Sequence, residues 1–178
     1  EMCIRDRAAA VLAESVGADL GTLQNQIKKL CLIVTKGESI NADHVEQHVG
    51  ISKEYNNFEL RKALGNGHTA KAYKIVNFFG RHPRQHPLLG TIRSLYNYFV
   101  QLLTYHGLPS KNPDAVAKAL GIHPFFVREI EQAARRYPLK SIVPILGIIK
   151  KADLAVKGVD AVPTSEGEVL QELLSHIA

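Results

Sequence analysis

Tryptophan is absent from this chain of 178 residues, methionine occurs once and cysteine only twice. Cys3 and Cys31 share no CxxC spacing, which excludes a disulfide framework and a four-thiolate zinc site. No run of about 18 uncharged apolar residues occurs, so no segment qualifies as a membrane-spanning helix. Arg5, Asp6 and Arg7 interrupt the start before the apolar core of a secretory leader could form, and the expected compartment is the cytoplasm. Period-two alternation bounded by hairpin turns is also missing, and with it any expectation of a sheet. Against these absences, apolar residues make up 46% and charged residues 22%. Those are ordinary globular values, which exclude a disordered chain, a collagen and a coiled-coil rod.

What is present is helical periodicity. Residues 1–7 match none of it and read as a non-native lead-in, so the chain is expected to be a fragment of a longer protein. Ala8 to Val16 is a run of helix formers stopped at Gly17. Asp19 caps a second helix, in which Leu20, Leu23, Ile27, Leu30 and Val34 recur at steps of three or four before Gly37. Asn41 caps a third, which carries Val45 and Val49 inward and closes at Gly50. Residues 8–50 are thus expected to form a small three-helix bundle, and the polar stretch 51–57 a linker.

A larger helical bundle is expected over 58–178. Its strongest signal is Leu88, Ile92, Leu95, Tyr96, Phe99, Leu102 and Leu103, a single stripe along one long helix. Tyr98 and Tyr105 lie beyond that stripe and are expected to form an exposed aromatic patch that a partner covers. Pro113 and Pro124 open two short helices. Another runs from Leu139 to Gly158, and Pro163 lies in the loop after it. Ser165 with Glu168 has the form of a capping box leading a last helix. The predicted fold is all-α, a small three-helix bundle followed by a larger one.

Patterns that carry chemistry are weak. In Gly65-Asn66-Gly67-His68-Thr69-Ala70-Lys71-Ala72, Ala70 stands where a phosphate loop needs its second glycine. Ala72 stands where it needs a hydroxyl for magnesium, so a plain turn between helices is expected. His44 and His48 are four apart but have no third ligand nearby, which points to surface histidines. His82 and His86 share a proline-bent loop with Arg81 and Arg84, which repel a cation. Cys31 lies among Leu30, Leu32, Ile33 and Val34, surroundings that disfavour a reactive thiolate. No catalytic, cofactor-binding or metal residue is therefore expected, and no cofactor.

The net charge of +5, with a pI near 9.2, permits an anionic partner without requiring one. The residues best placed to track a phosphate backbone are Arg81, Arg84, Arg135, Arg136, Lys150 and Lys151. Asp153 is the one polar residue that the stripe Ile142, Leu146, Ile149 and Val156 carries inward. With Lys157 four residues on, a structural ion pair is expected. Val116 to Ile122, followed by a second helix, supports another reading: a stand-alone nucleic-acid-binding module with a helix-turn-helix at 112–137.

Several short segments also fall in a telling order. Gly17-Ala18-Asp19-Leu20 leads into Leu23-Gln24-Asn25-Gln26-Ile27-Lys28-Lys29-Leu30, followed by Ile40-Asn41-Ala42-Asp43-His44-Val45 through Gly50. Phe58-Glu59-Leu60 runs to Ala63, and Gly121-Ile122-His123-Pro124-Phe125 and Ala152-Asp153-Leu154-Ala155-Val156-Lys157-Gly158 come later. Together they resemble the lid and collar of the delta subunit of the bacterial DNA polymerase III clamp loader. Its patterns are G-x-D-L, N-E-I/L-x-K-L, I-T-x-E-D-V-x-x-x-V-G, F-x-L-x-D/K-A, G-I/V-x-P-F/Y and A-D-x-x-I/V/L-K-G. Gln26 stands where that family has Glu. The resemblance covers about 8–178, and the spelling is closest to Bacteroidetes sequences.

The resemblance implies an AAA+-type lid over 8–50 and a C-terminal helical collar over 58–178, without an ATPase site. It implies partners too: delta-prime and the ATP-binding subunits through the collar, and the sliding clamp only through an N-terminal domain outside this chain. The chain would then serve assembly in DNA replication, with non-specific DNA contact. It would have no catalytic site of its own within a DNA-directed DNA polymerase holoenzyme, a nucleotidyltransferase.

Overall fold

Caps and turn glycines divide the chain into short helices. The computed structural model describes residues 4–16, 20–35, 38–49, 55–159 and 165–178. Among these the helices are α1 (Asp6–Val16), α2 (Leu20–Ile33), α3 (Ala42–His48), α4 (Asn57–Gly65), α5 (Thr69–Arg81), α6 (Leu88–Gly107), α7 (Pro113–Leu120), α8 (Val127–Arg136), α9 (Leu139–Val156) and α10 (Glu166–Ile177). A single 3-10 turn, Pro124–Phe126, precedes α8. No strand occurs among the described residues beyond an isolated bridge between Ile4 and Ile40. The fold is all-α. The stops and caps expected at Gly17, Asp19, Gly37 and Gly50, the linker residues 51–54 and the loop at Pro163 lie outside the described residues. No described helix is long and apolar enough to cross a membrane.

The chain divides into two compact units, Glu1–Phe58 and Glu59–Ala178. In the first, α1, α2 and α3 all pack on one another. Ala8, Leu12, Leu30, Ile40, Val45 and Val49 form its core, with Leu23 and Val34 half-buried against them. Asn41 caps α3: its Oδ1 accepts the His44 N–H at 2.9 Å, and His44 Nδ1 accepts the Asn41 N–H at 3.4 Å. The Arg5 N–H donates to the Ile40 carbonyl at 3.0 Å, and α1 begins at Asp6, two residues before the expected Ala8. Residues 4–7 thus contribute to this unit. Leu20, Ile27, Leu32 and Ile33 stay exposed, Leu20 by 79%.

In the second unit α6 lies at the centre, with α7, α8 and α9 packed on it, while α5 packs on α10. The buried stripe of α6 is Leu88, Thr91, Ile92, Leu95, Tyr98, Phe99, Leu102 and Tyr105. This corrects the expected stripe and the expected aromatic patch. At about 100° per residue, the buried positions run from Tyr105, about 100° to one side of Leu88, to Ile92, about 40° to the other. Tyr96 falls at about 80°, outside that arc, and is 47% exposed. Tyr98 and Tyr105 are 6% and 9% exposed, so neither offers a surface to a partner. The arc is wide because three helices cover α6. Gly65 at the end of α4 also meets it: a Cβ there would sit 2.6 Å from the Tyr98 hydroxyl and 3.0 Å from Ala133 Cβ.

Two antiparallel pairs fix the ends of this unit. Gly80 near the end of α5 meets Gly167 at the start of α10, and a Cβ on Gly80 would lie 2.8 Å from the Gly167 Cα. Gln171 Nε2 donates to Asn77 Oδ1 at 2.6 Å along the same seam. At the end of α6, His106 Nε2 donates to the Tyr137 carbonyl at 2.9 Å, just before α9 begins. The Tyr137 hydroxyl donates to the Ile177 carbonyl at 3.2 Å, and its ring meets Phe99 edge-on at 5.1 Å. Burial pushes the Tyr137 phenol pKa up.

Candidate partner and nucleic-acid surfaces

The antiparallel pairs sort the basic candidates into two groups. Arg135 and Arg136 end α8. Arg135 Nη2 lies 2.7 Å from Glu131 Oε1, and Arg136 Nη2 donates to the Ala178 carbonyl at 2.7 Å, at the end of α10. Both guanidiniums are committed to partners within the unit. Arg81 ends α5 and Arg84 lies in the α5–α6 connection, both beside the start of α10, because Gly80 rests on Gly167. The 12 residues of α10 separate these two places by about 17 Å at 1.5 Å per residue. The two arginine pairs therefore lie apart rather than in one cluster.

Lys150 and Lys151 lie in the later half of α9. Since α9 starts where α6 ends, that half runs back toward the start of α6 and the Arg81–Arg84 connection. Both lysines, like both arginines, are exposed. Asp153 is also at the surface, one-third exposed rather than inward, and Lys157 Nζ reaches its Oδ2 at 2.6 Å. Ile145 takes the inward place instead.

The α5–α6 connection also holds aromatic contacts that sequence reading missed. His82 stacks on Phe78 at 4.2 Å and His86 on Phe79 at 4.3 Å. The available signal was the spacing of four from Phe78 to His82, one helical turn. Elsewhere His44 lies in its cap with Glu38 at 3.7 Å. Among the described residues no three His, Cys, Asp or Glu side chains gather as metal ligands do. In the glycine-rich segment, α4 ends at Gly65, Gly67 turns the chain at φ 72°, and α5 starts at Thr69. Lys71, the lysine a phosphate loop would extend toward its ligand, is bound to Glu59.

Within the second unit, α9 also carries exposed apolar residues. Leu139 and Val143 on α9 are 52% and 60% exposed, and Pro144 and Gly147 continue the face. Pro144 has no N–H to donate to the Lys140 carbonyl, which is tolerable only on an open face. Lys140 lies on the same side, and Lys150 and Lys151 follow on it further along the helix. Separately, α7, a left-handed Gly121 at φ 63°, and α8 follow one another as in a helix-turn-helix. Here α8 buries Val127, Ile130, Ala133 and Ala134 and exposes Arg128, Gln132, Arg135 and Arg136, with Phe125 exposed in the turn before it.

No family model matches the chain, and no curated protein matches it. Among solved structures, the chain is similar to the Bacillus subtilis DNA clamp loader delta protein (YqeN), with a TM-score of 0.63 and 23% sequence identity. The similarity covers 98% of this chain, which spans 50% of the length of that one. It lends no support to the Bacteroidetes-like spelling. It places this chain in a clamp-loader-like fold.

Proposed function

We propose that this chain is the lid and collar portion of a delta-type clamp-loader subunit, a non-catalytic docking piece in bacterial DNA replication. The observation that carries the reading is the fold likeness over 98% of the chain to a clamp loader delta protein. On this reading residues 8–50 are the AAA+-type lid, 51–57 a linker and 58–178 the collar. The collar joins delta-prime and the ATP-binding subunits, and the sliding clamp is gripped only by an N-terminal domain outside this chain. The polymerase holoenzyme supplies the nucleotidyl transfer, in the cytoplasm.

The exposed α9 face is the part of the collar we assign to a neighbouring subunit. Leu139 and Val143 stand half open or more, with Lys140 on the same side of the helix. Arg81, Arg84, Lys150 and Lys151 contact the DNA backbone without reading sequence. Arg135 and Arg136 contribute less, because Glu131 and the Ala178 carbonyl already hold them.

Mixing the chain with delta-prime and the ATP-binding subunits tests the assembly. Co-elution in size-exclusion chromatography is expected, and Val143→Glu should weaken it about tenfold or more, as for a central interface residue. Failure of the wild-type chain to co-elute would refute the reading. The exposed Arg128 and Gln132 on α8 favour a second reading, a stand-alone helix-turn-helix binder. Footprinting decides it: protection of one defined sequence supports it, and uniform protection rejects it.

A further inference from the structure

The α5–α6 connection holds more than its two arginines. The His82 ring lies at 30° to Phe78, and its Nδ1 is 2.9 Å from the Phe78 carbonyl. A carbonyl only accepts, so Nδ1 carries the proton and Nε2 is the basic nitrogen. The His86 ring lies nearly parallel to Phe79, at 14°, and meets the edge of Phe78 at 5.6 Å. Two imidazoles are thus stationed on adjoining aromatic rings beside exposed Arg81 and Arg84.

The charges around them are mostly of one sign. No carboxylate occurs in the sequence from Arg81 to Arg93. Lys74 lies earlier on α5 and Arg93 on α6. From α10 come Glu166 and Glu168, on either side of the Gly167 that touches Gly80, and Glu168 is bound by Ser165. Half-burial, then the neighbouring His82, holds the His86 pKa below its usual 6.5 in the free chain.

We propose that this loop is a proton-coupled contact for the DNA phosphate backbone, in which His86, stacked on Phe79, gains a proton as phosphates reach Arg81 and Arg84. The inference rests on the DNA contact proposed above and adds its regulation. A nearby phosphate favours the charged imidazole. His86 is neutral in the free chain above its lowered pKa, and DNA raises that pKa. Binding therefore takes up a proton between the lowered free value and the raised bound one, and affinity falls as pH rises through that window.

Fluorescence anisotropy of a labelled primer-template DNA, titrated with the 178-residue chain at constant ionic strength, reads this out. Binding about two- to threefold weaker at about pH 8 than at about pH 6 is expected, since a rise of about half a unit in the pKa of one group changes affinity at most about threefold. The His82→Gln/His86→Gln variant should have a flat pH profile and keep its salt dependence. Arg81→Gln/Arg84→Gln should bind less tightly at every pH and lose about 2 from the slope of log K against log salt. NMR titration of the histidine rings in the wild-type chain needs no substitution: DNA should raise the His86 pKa by about half a unit or more. Equal pH profiles for the wild type and the histidine variant, or a His86 pKa unmoved by DNA, would overturn the proposal and leave the DNA contact standing. Salt-independent binding, or none at any pH, would overturn both.

Discussion

Glu1–Phe58 closes on small aliphatic side chains such as Ala8, Leu12 and Val45, whereas Glu59–Ala178 folds around rings, with Phe79 and Phe99 fully buried and Tyr98 and Tyr137 beside them. An aromatic side chain removes about 150–250 Å² from water and orders its neighbours edge to face. The first unit has no such ring among its buried described residues and leaves Leu20 and Leu32 in solvent. The lesson concerns where stability resides. The second unit has a core sufficient to stand alone, while the first, a short three-helix bundle, is near the size at which a core becomes marginal.

Core truncation in each unit is the harshest way to break that comparison. Phe99→Ala should destabilise Glu59–Ala178 by about 3–5 kcal/mol, and Leu30→Ala should destabilise Glu1–Phe58 by about 2–5 kcal/mol. Thermal unfolding followed by amide hydrogen exchange separates the two. Each substitution should release protection in its own unit; if either releases both equally, the units fold as one. Next in size is Gly65→Ala, whose Cβ would meet Tyr98 and Ala133, with an expected loss of about 1–3 kcal/mol from overpacking. Urea denaturation measures it, and an unchanged midpoint would show that α4 yields more easily than the ring packing implies. Tyr137→Phe is smaller, about 1 kcal/mol for the hydroxyl bond to the Ile177 carbonyl.

The smallest effect concerns the cap of α10 and carries a pH signature. Ser165 Oγ accepts the Glu168 N–H, and the Glu168 carboxylate accepts from the Ser165 N–H at 2.8 Å and its hydroxyl at 2.9 Å. These bonds hold the Glu168 pKa below the usual 4.5. Because the folded value is depressed, the stabilisation is complete above the unfolded value and disappears as pH falls through the folded one. Ser165→Ala should cost about 1 kcal/mol or less at neutral pH. The gap between variant and wild-type Tm should narrow in acid by the share of the hydroxyl–carboxylate bond, while the share of the Oγ bond to the Glu168 N–H remains; a gap that widens below about pH 4 would place the pH dependence elsewhere.

Much of the architecture was legible because helix ends are local. Asn41 and His44, Asn112 before Pro113, and Ser165 with Glu168 occupy the caps that their residue types favour, and Gly121 takes the left-handed turn after α7. What each helix faces is not local. The α6 stripe was read on its leucine side, and only the packing of α4, α7, α8 and α9 around it draws Tyr98 and Tyr105 inside while Tyr96 turns out. Asp153 went the other way: the periodicity carried it inward, and it stands at the surface beside Lys157.

The basic residues show the same division. Their positions along the chain were plain, but a count of charges contains no information about direction. The α5–α10 and α6–α9 pairings place Arg81 and Arg84 at one end and Arg135 and Arg136 at the other, and the latter are consumed by Glu131 and Ala178. The sequence by itself determined the helices, their caps and the all-α class, because those follow from hydrogen bonds and sterics within a few residues. Only the tertiary structure decided which rings are buried, which cations are free and which face of α9 is left open, because those depend on side chains brought together from distant parts of the chain.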